Sequence, residues 1–185
     1  MLAEGVTIRI CTTTGGWSVG AIAALLRPNA RDLPLTGPST TIEVQATYAT
    51  STSVGASCCR SGGGYYNFHA TVFLNPGSAT TFTHYPDAGL AHEYGHVWTE
   101  YWRFMNPANG ASWNAYLAAR GIAGDPRVNS TYNWSPNEMA ADDYRRLFGT
   151  VAAQTERAYL NSAVPDSQSV PGLAEFFTTR WAIPS

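Results

Sequence analysis

The sequence predicts a single α+β domain spanning residues 1–185. It would hold a small mixed or antiparallel sheet with a backing helix, a helix carrying the candidate site, and a mostly helical C-terminal half. Three observations carry this expectation. Up to Leu74, short runs alternate apolar and polar residues between Gly- and Pro-rich breaks, which is the strand period of two. From Pro86 onward the apolar spacing becomes helical. A chain of 185 residues can bury one real core but not two comfortable ones.

Taken in order, Val6 to Thr12 reads as a strand, with Val6, Ile8 and Ile10 on one side and Thr7, Arg9 and Cys11 on the other. Gly15-Gly16 turns the chain into a helix from Trp17 to Leu26. That apolar run reads as a buried helix, not a signal core. No basic cluster precedes it, and Arg27-Pro28 stands where small residues would mark cleavage. Any signal peptide is expected to have been removed, with Met1 a cloned start. Arg31 to Ser39 reads as loop, Thr41 to Tyr48 as a second strand, and residues 51–64 as a mobile Ser/Gly loop ending in Gly62-Gly63-Gly64. Tyr65 to Leu74 reads as a third strand, stopped by Asn75-Pro76-Gly77. After the site helix come a turn at Asn106 to Gly110, a short helix from Ala111 to Arg120, and an irregular stretch from Gly121 to Asn133. Closing helices are expected at Val151 to Leu160 and at Gly172 to Trp181. The latter carries Leu173, Phe176, Phe177 and Trp181 as a core stripe.

Composition excludes some classes of partner. A formal charge of −2 offers nothing to nucleic acid or an anionic membrane surface. No run reaches the roughly 18 apolar residues of a membrane span. Only 13% of residues are charged and none is Lys, a composition that resembles secreted, extracellular enzymes more than cytosolic ones; a monomer is expected. Cys11, Cys58 and Cys59 make an odd count, so Cys11 could pair with either of the other two. Three thiols without paired spacing make a poor zinc motif.

The chemistry lies in Ala91-His92-Glu93-Tyr94-Gly95-His96-Val97-Trp98. Residues four apart share a helix face, so His92 and His96 can offer two imidazoles to one point, half of a tetrahedral zinc site. Glu93 is turned about 100° from His92, so it can reach a metal-bound water without binding the metal. A catalytic zinc needs a third protein ligand and one open position. A third His six residues past His96 is excluded, because Trp102 stands there. Glu100 lies further along the same helix and reads as a surface or salt-bridge residue. The better candidate is Glu138 in Ser135-Pro136-Asn137-Glu138-Met139-Ala140-Ala141-Asp142-Asp143-Tyr144-Arg145-Arg146. Ser135, Pro136 and Glu138 also have the spacing of a helix start with a capping box, so Glu138 could simply close that box. Asp142 shares the Glu138 face and could accept the second ring N–H of a ligand His. Asp143 points elsewhere and is expected to pair with Arg145 or Arg146.

His92-Glu93-x-x-His96 followed by Asn137-Glu138-x-x-x-Asp142 resembles the gluzincin metallopeptidases, a zincin-like group. Residues 130–146 with the His motif also resemble the catalytic domain of anthrax lethal factor. The resemblance implies that His92, His96 and Glu138 bind Zn2+, that Glu93 is the general base, and that Asp142 orients the first His. A Tyr shortly before the ligand Glu assists the reaction in the second family, and Tyr132 is the nearest match. The resemblance also implies that the strand nearest the zinc is a sheet edge, to which an extended peptide adds; here that is Tyr65 to Leu74, unless that strand is central.

The function expected is that of a zinc metalloendopeptidase acting on a peptide or protein substrate, with a zinc-bound water activated by Glu93. The oxyanion donor would be Tyr132, with Tyr144 or His84 as alternatives. His84 also reads as a plain loop residue, and His69 as a structural one in mid-strand. Another class of function is a non-catalytic, zinc-stabilised binding or toxin-like module. Glu93 argues against it, because a structural zinc site needs no base and is usually closed by four protein ligands. A third reading keeps the hydrolase and changes the substrate to a cell-wall or other amide.

Overall fold

In the computed structural model the described residues are 6–12, 18–30, 40–46, 53–61, 64–74, 84–105 and 113–180, with most strand side chains outside the description. Four strands are present as backbone: β1 (Val6–Thr12), β2 (Thr40–Ala46), β3 (Ser53–Ser61) and β4 (Gly64–Leu74). Their order is β1-β2-β4-β3. β1 and β2 are parallel with Val6 opposite Thr40, β2 and β4 are parallel with Thr41 opposite His69, and β3 runs antiparallel to β4. The Ser/Gly stretch expected to be a mobile loop is therefore largely strand β3. Small residues such as Ser53, Gly55 and Ala56 carry no turn chemistry of their own once a neighbouring strand takes up their backbone groups. β4 lies between β2 and β3, so it is not a sheet edge and has no free side for an added strand.

Helix α1 (Val19–Asn29) is capped by Ser18, whose side chain accepts the Ala21 N–H at 3.1 Å. Helix α2 (Pro86–Met105) carries the two histidines. Helix α3 (Asn114–Arg120) ends on Gly121, whose φ of 77° closes the helix in the left-handed region. Helix α4 (Pro136–Phe148) carries Glu138 and Asp142. Helix α5 (Val151–Thr155) is capped by Thr150, and α6 (Leu173–Glu175) runs into a wider final turn over Phe176–Arg180.

The expected fold class, an α+β zincin-like domain organised on a small sheet, is corrected by this arrangement. Among the residues whose side chains are described, 65% are helical and 3% extended. The extended ones are Arg9, Ile10 and Val72, and of these only Val72 is buried in the core. The body of the protein is a helical assembly around α2. Ile22 and Leu26 of α1, Tyr94, Val97 and Trp98 of α2, Tyr144 of α4 and Phe177 fill its centre. Their rings interlock, with Tyr94 and Tyr144 centroids 5.5 Å apart and Trp98 and Phe177 also 5.5 Å apart, in the range of favourable tilted pairs. Polar ties join the same helices. The Asn29 side chain donates to Asp87 Oδ1 at 3.2 Å, and Tyr144 Oη donates to the Asn29 carbonyl at 2.9 Å.

Other expectations are adjusted. The first helix starts at Val19 and runs past Pro28. The helix expected at Val151 to Leu160 stops at Thr155, and the Ala153 carbonyl, which a continuing helix would offer to the Arg157 N–H, accepts from Arg145 instead. The core stripe is seen at Leu173, Phe176 and Phe177, all buried. Trp181, the side chains of His69 and the three cysteines, and the turns at 13–17, 75–77 and 106–110 lie outside the described residues. Among the described residues no helix is long and apolar enough to cross a membrane.

Candidate metal centre

Two helices build the site, and Gly95 sets how closely they approach. A Cβ at Gly95 would lie 2.6 Å from the Ala141 carbonyl oxygen and 2.8 Å from Ala141 Cα. Only glycine allows α2 to rest against α4 here. The contact falls between His92 and His96 on one helix and Glu138 and Asp142 on the other. It brings those four side chains together.

His92 Nε2 lies 3.3 Å from Glu138 Oε2, and His96 Nε2 lies 3.4 Å from the same oxygen. These separations are long for charge-assisted hydrogen bonds, which run about 2.7–2.9 Å. They match the edge of a ligand tetrahedron: bonds of about 2.0–2.1 Å around zinc put neighbouring ligand atoms about 3.3–3.4 Å apart. The three ligand atoms all lie within 4.8 Å of one another, so His92, His96 and Glu138 form a group that could hold a metal ion. Both histidines are buried, and Glu138 is part-exposed, leaving an approach from one side.

The other ring nitrogen of His92 is held. Nδ1 lies 3.3 Å from Asp142 Oδ1, and with its proton there Nε2 keeps a free lone pair toward Glu138. His96 Nδ1 is buried and has no hydrogen-bond partner among the described residues. Burial opposes charge on His92, yet Asp142, Glu138 and the nearby Glu93 outweigh it and raise its pKa to about 9. Burial would raise the Glu138 carboxyl, but His92, His96 and Tyr132 hold it well below the usual carboxylate range. For Asp142 the same desolvation is overcome by His92 and Arg145. Each shift reflects two or more opposite charges packed around one point, which is the electrostatic setting of a cation site.

Glu93 is buried on α2, and its charge is felt at both His92 and Tyr132. Tyr132 stands at the start of a single tight turn, Tyr132–Trp134, and is 60% exposed. Burial of its hydroxyl, then the Glu138 and Glu93 carboxylates, raise its pKa above the ordinary phenol value. Asn161 donates to the Asn133 carbonyl at 2.9 Å, and the Arg127 guanidinium covers the Trp134 ring at 4.1 Å. Both contacts hold the turn that presents Tyr132.

Of the other candidates, Tyr144 is fully buried with its hydroxyl on the Asn29 carbonyl, so it cannot serve as an oxyanion donor at this site. His84 is exposed beside Tyr85. Ser135 caps α4 without a side-chain hydrogen bond, and Glu138 faces the histidines instead of closing a capping box. Glu100 pairs with Arg103 at 2.8 Å.

Asp143 does not pair with Arg145 or Arg146. It is fully buried and receives Tyr116 Oη at 2.6 Å, Tyr159 Oη at 2.8 Å and Ser167 Oγ at 2.5 Å, with Arg120 Nε 3.1 Å away. Asp143 is turned about 100° around α4 from Asp142, and its donors come from α3, through Tyr116 and Arg120, and from the 159–167 segment, through Tyr159 and Ser167. Sequence reasoning passed over two residues that shape the site, Gly95 and Arg145. A glycine inside a helical pattern is itself a signal of close approach, and Asp142 with Arg145 has the i, i+3 spacing of a helix ion pair.

Comparison with protein-family models, with curated proteins and with solved structures finds no match.

Proposed function

We propose that this protein is a zinc metallopeptidase of the gluzincin type, with His92, His96 and Glu138 as the metal ligands. The observation that carries the reading is the convergence of both Nε2 atoms on one Glu138 oxygen at tetrahedral-edge distances, backed by Asp142. Two imidazoles and one carboxylate are a donor set suited to zinc with one position open. Zinc held there would acidify a water and polarise a substrate carbonyl.

This chain's own groups supply the rest. Glu93 takes the proton as water attacks the peptide carbonyl and returns it to the leaving amine, as a general base and then acid. Tyr132 donates its phenol proton as a hydrogen bond to the developing oxyanion. Asp142 holds the His92 tautomer. The Lys-free, weakly charged composition supports a secreted enzyme.

The test is zinc content together with cleavage of casein or a peptide library, for wild type and Glu93→Gln side by side. Both should bind about one zinc and only wild type should cleave. If both bind zinc and neither cleaves any peptide, the peptidase reading fails. If neither binds zinc, the ligand assignment fails as well.

A further inference from the structure

Arg145 lies one turn beyond Asp142 on α4 and is completely buried. A guanidinium has five N–H donors in a fixed plane, and here all five have acceptors. Nε donates to Asp142 Oδ1 at 2.7 Å and Nη2 to Asp142 Oδ2 at 3.1 Å. The remaining N–H groups reach three backbone carbonyls, one inside α5 and two in the segment after it. Nη1 donates to Ala153 at 2.6 Å and to Arg157 at 3.2 Å, and Nη2 donates to Ala158 at 3.2 Å.

The Asp142 carboxylate is equally committed. Oδ1 is shared by His92 Nδ1 and Arg145 Nε, while Oδ2 is shared by Arg145 Nη2 and the Leu160 N–H, 2.7 Å away. An unbroken buried chain thus runs from His92 through Asp142 and Arg145 into the backbone of residues 153–160. A carboxylate gripped by a planar fork cannot rotate, and so Oδ1 stays aimed at His92.

We infer that Arg145 is a positioning residue for the metal centre, tying the metal affinity of His92, His96 and Glu138 to the docking of residues 153–160. The inference rests on the metal-site reading but not on peptidase activity. Partners of ligand histidines typically change metal affinity by about 10–100-fold when disturbed. Lysine keeps the charge of Arg145 but lacks the fork, so it cannot grip Asp142 and hold three carbonyls together.

The experiment measures zinc affinity by competition with a chromophoric chelator for wild type, Arg145→Lys and Arg146→Lys. Arg146 is the control. It holds the Gln154 carbonyl of the same segment and the Asp166 carboxylate beyond it, and its partners do not include Asp142. Arg145→Lys should lose about 10–100-fold in affinity and change the visible spectrum of bound Co2+. Arg146→Lys should stay within about threefold of wild type. Equal affinities for Arg145→Lys and wild type, or equal losses in both variants, overturn the inference. If Arg145→Lys does not fold, hydrogen exchange on the wild-type protein decides. Zinc should slow the Leu160 amide and the 153–158 amides at least about tenfold, and unchanged exchange in the presence of bound zinc overturns the inference. Wild type that binds no zinc overturns the metal reading itself.

Discussion

Replacing Gly95 by Ala tests the geometry of the whole site with one methyl group. In an ordinary helix the change would stabilise the protein by about 1 kcal/mol, since Ala is the better helix former. Here the methyl carbon would sit 2.6 Å from the Ala141 carbonyl oxygen, and ordinary contact begins near 3.4 Å. Relief requires about 0.8 Å of separation between α2 and α4, because the obstacle is backbone and cannot swing aside. Overpacking of this kind costs about 1–3 kcal/mol, so the net effect is a loss of up to about 2 kcal/mol. The same 0.8 Å separates the His92–His96 pair from Glu138 and exceeds the roughly 0.5 Å tolerance of a preorganised site. Zinc affinity should fall at least about tenfold, or 1.4 kcal/mol. Urea unfolding of the metal-free protein and chelator competition for the zinc-loaded one measure the two effects separately. A Gly95→Ala protein that is more stable than wild type and binds zinc equally well would refute the close approach and the site geometry built on it.

Tyr132→Phe removes one hydroxyl at the rim of the site. Zinc content should be unchanged and kcat should drop about 10²–10³-fold, whereas near-normal turnover would remove Tyr132 from the mechanism. Arg120→Met leaves the Asp143 carboxylate buried without its cation, so unfolding free energy should fall by about 3–5 kcal/mol; a change below about 1 kcal/mol in a denaturant titration would mean that the three hydroxyl donors suffice. In metal-free protein the His92 pKa is raised from 6.5 to about 9, so its protonated form favours the folded state. That contribution is full below pH 6.5 and is lost as pH rises to about 9, on the order of 3 kcal/mol at most. Zinc affinity runs the other way, rising through the same window as the competing proton leaves His92. Denaturation midpoints in a chelator at pH 6 and pH 9 check the first trend, and a flat profile would contradict the His92 environment described above.

The N-terminal region shows where local pattern misleads. Residues 53–61 are rich in Ser and Gly or Ala and read as loop, yet they pair with β4 from Ser53 to Ser61, with one register shift between Ser57 and Cys59. Strand formation there depends on a neighbour that no local window contains. Residues 156–160 have helical composition but leave the helix, and the Ala153 carbonyl that the next turn would use accepts from the distant Arg145. Helix packing around α2 dominates the described core, which the sheet joins among the described side chains through Val72, with Ile10 packed against it.

What the sequence alone determined were relations inside one helix. His92 and His96 share a face, Glu93 sits beside it, and Glu138 and Asp142 share another, because 3.6 residues per turn leaves no alternative. Whether Glu138 capped its own helix or met the histidines was a choice between a local and a distant partner, and tertiary packing made it through the Gly95–Ala141 contact. The same holds for the neighbouring acids on α4. Asp142 and Asp143 are adjacent in the chain, but a helix turns them to different sides, toward His92 with Arg145 and toward Arg120 with Tyr116. A buried carboxylate goes wherever the folded protein places its donors, and those donors come from segments far away in the sequence.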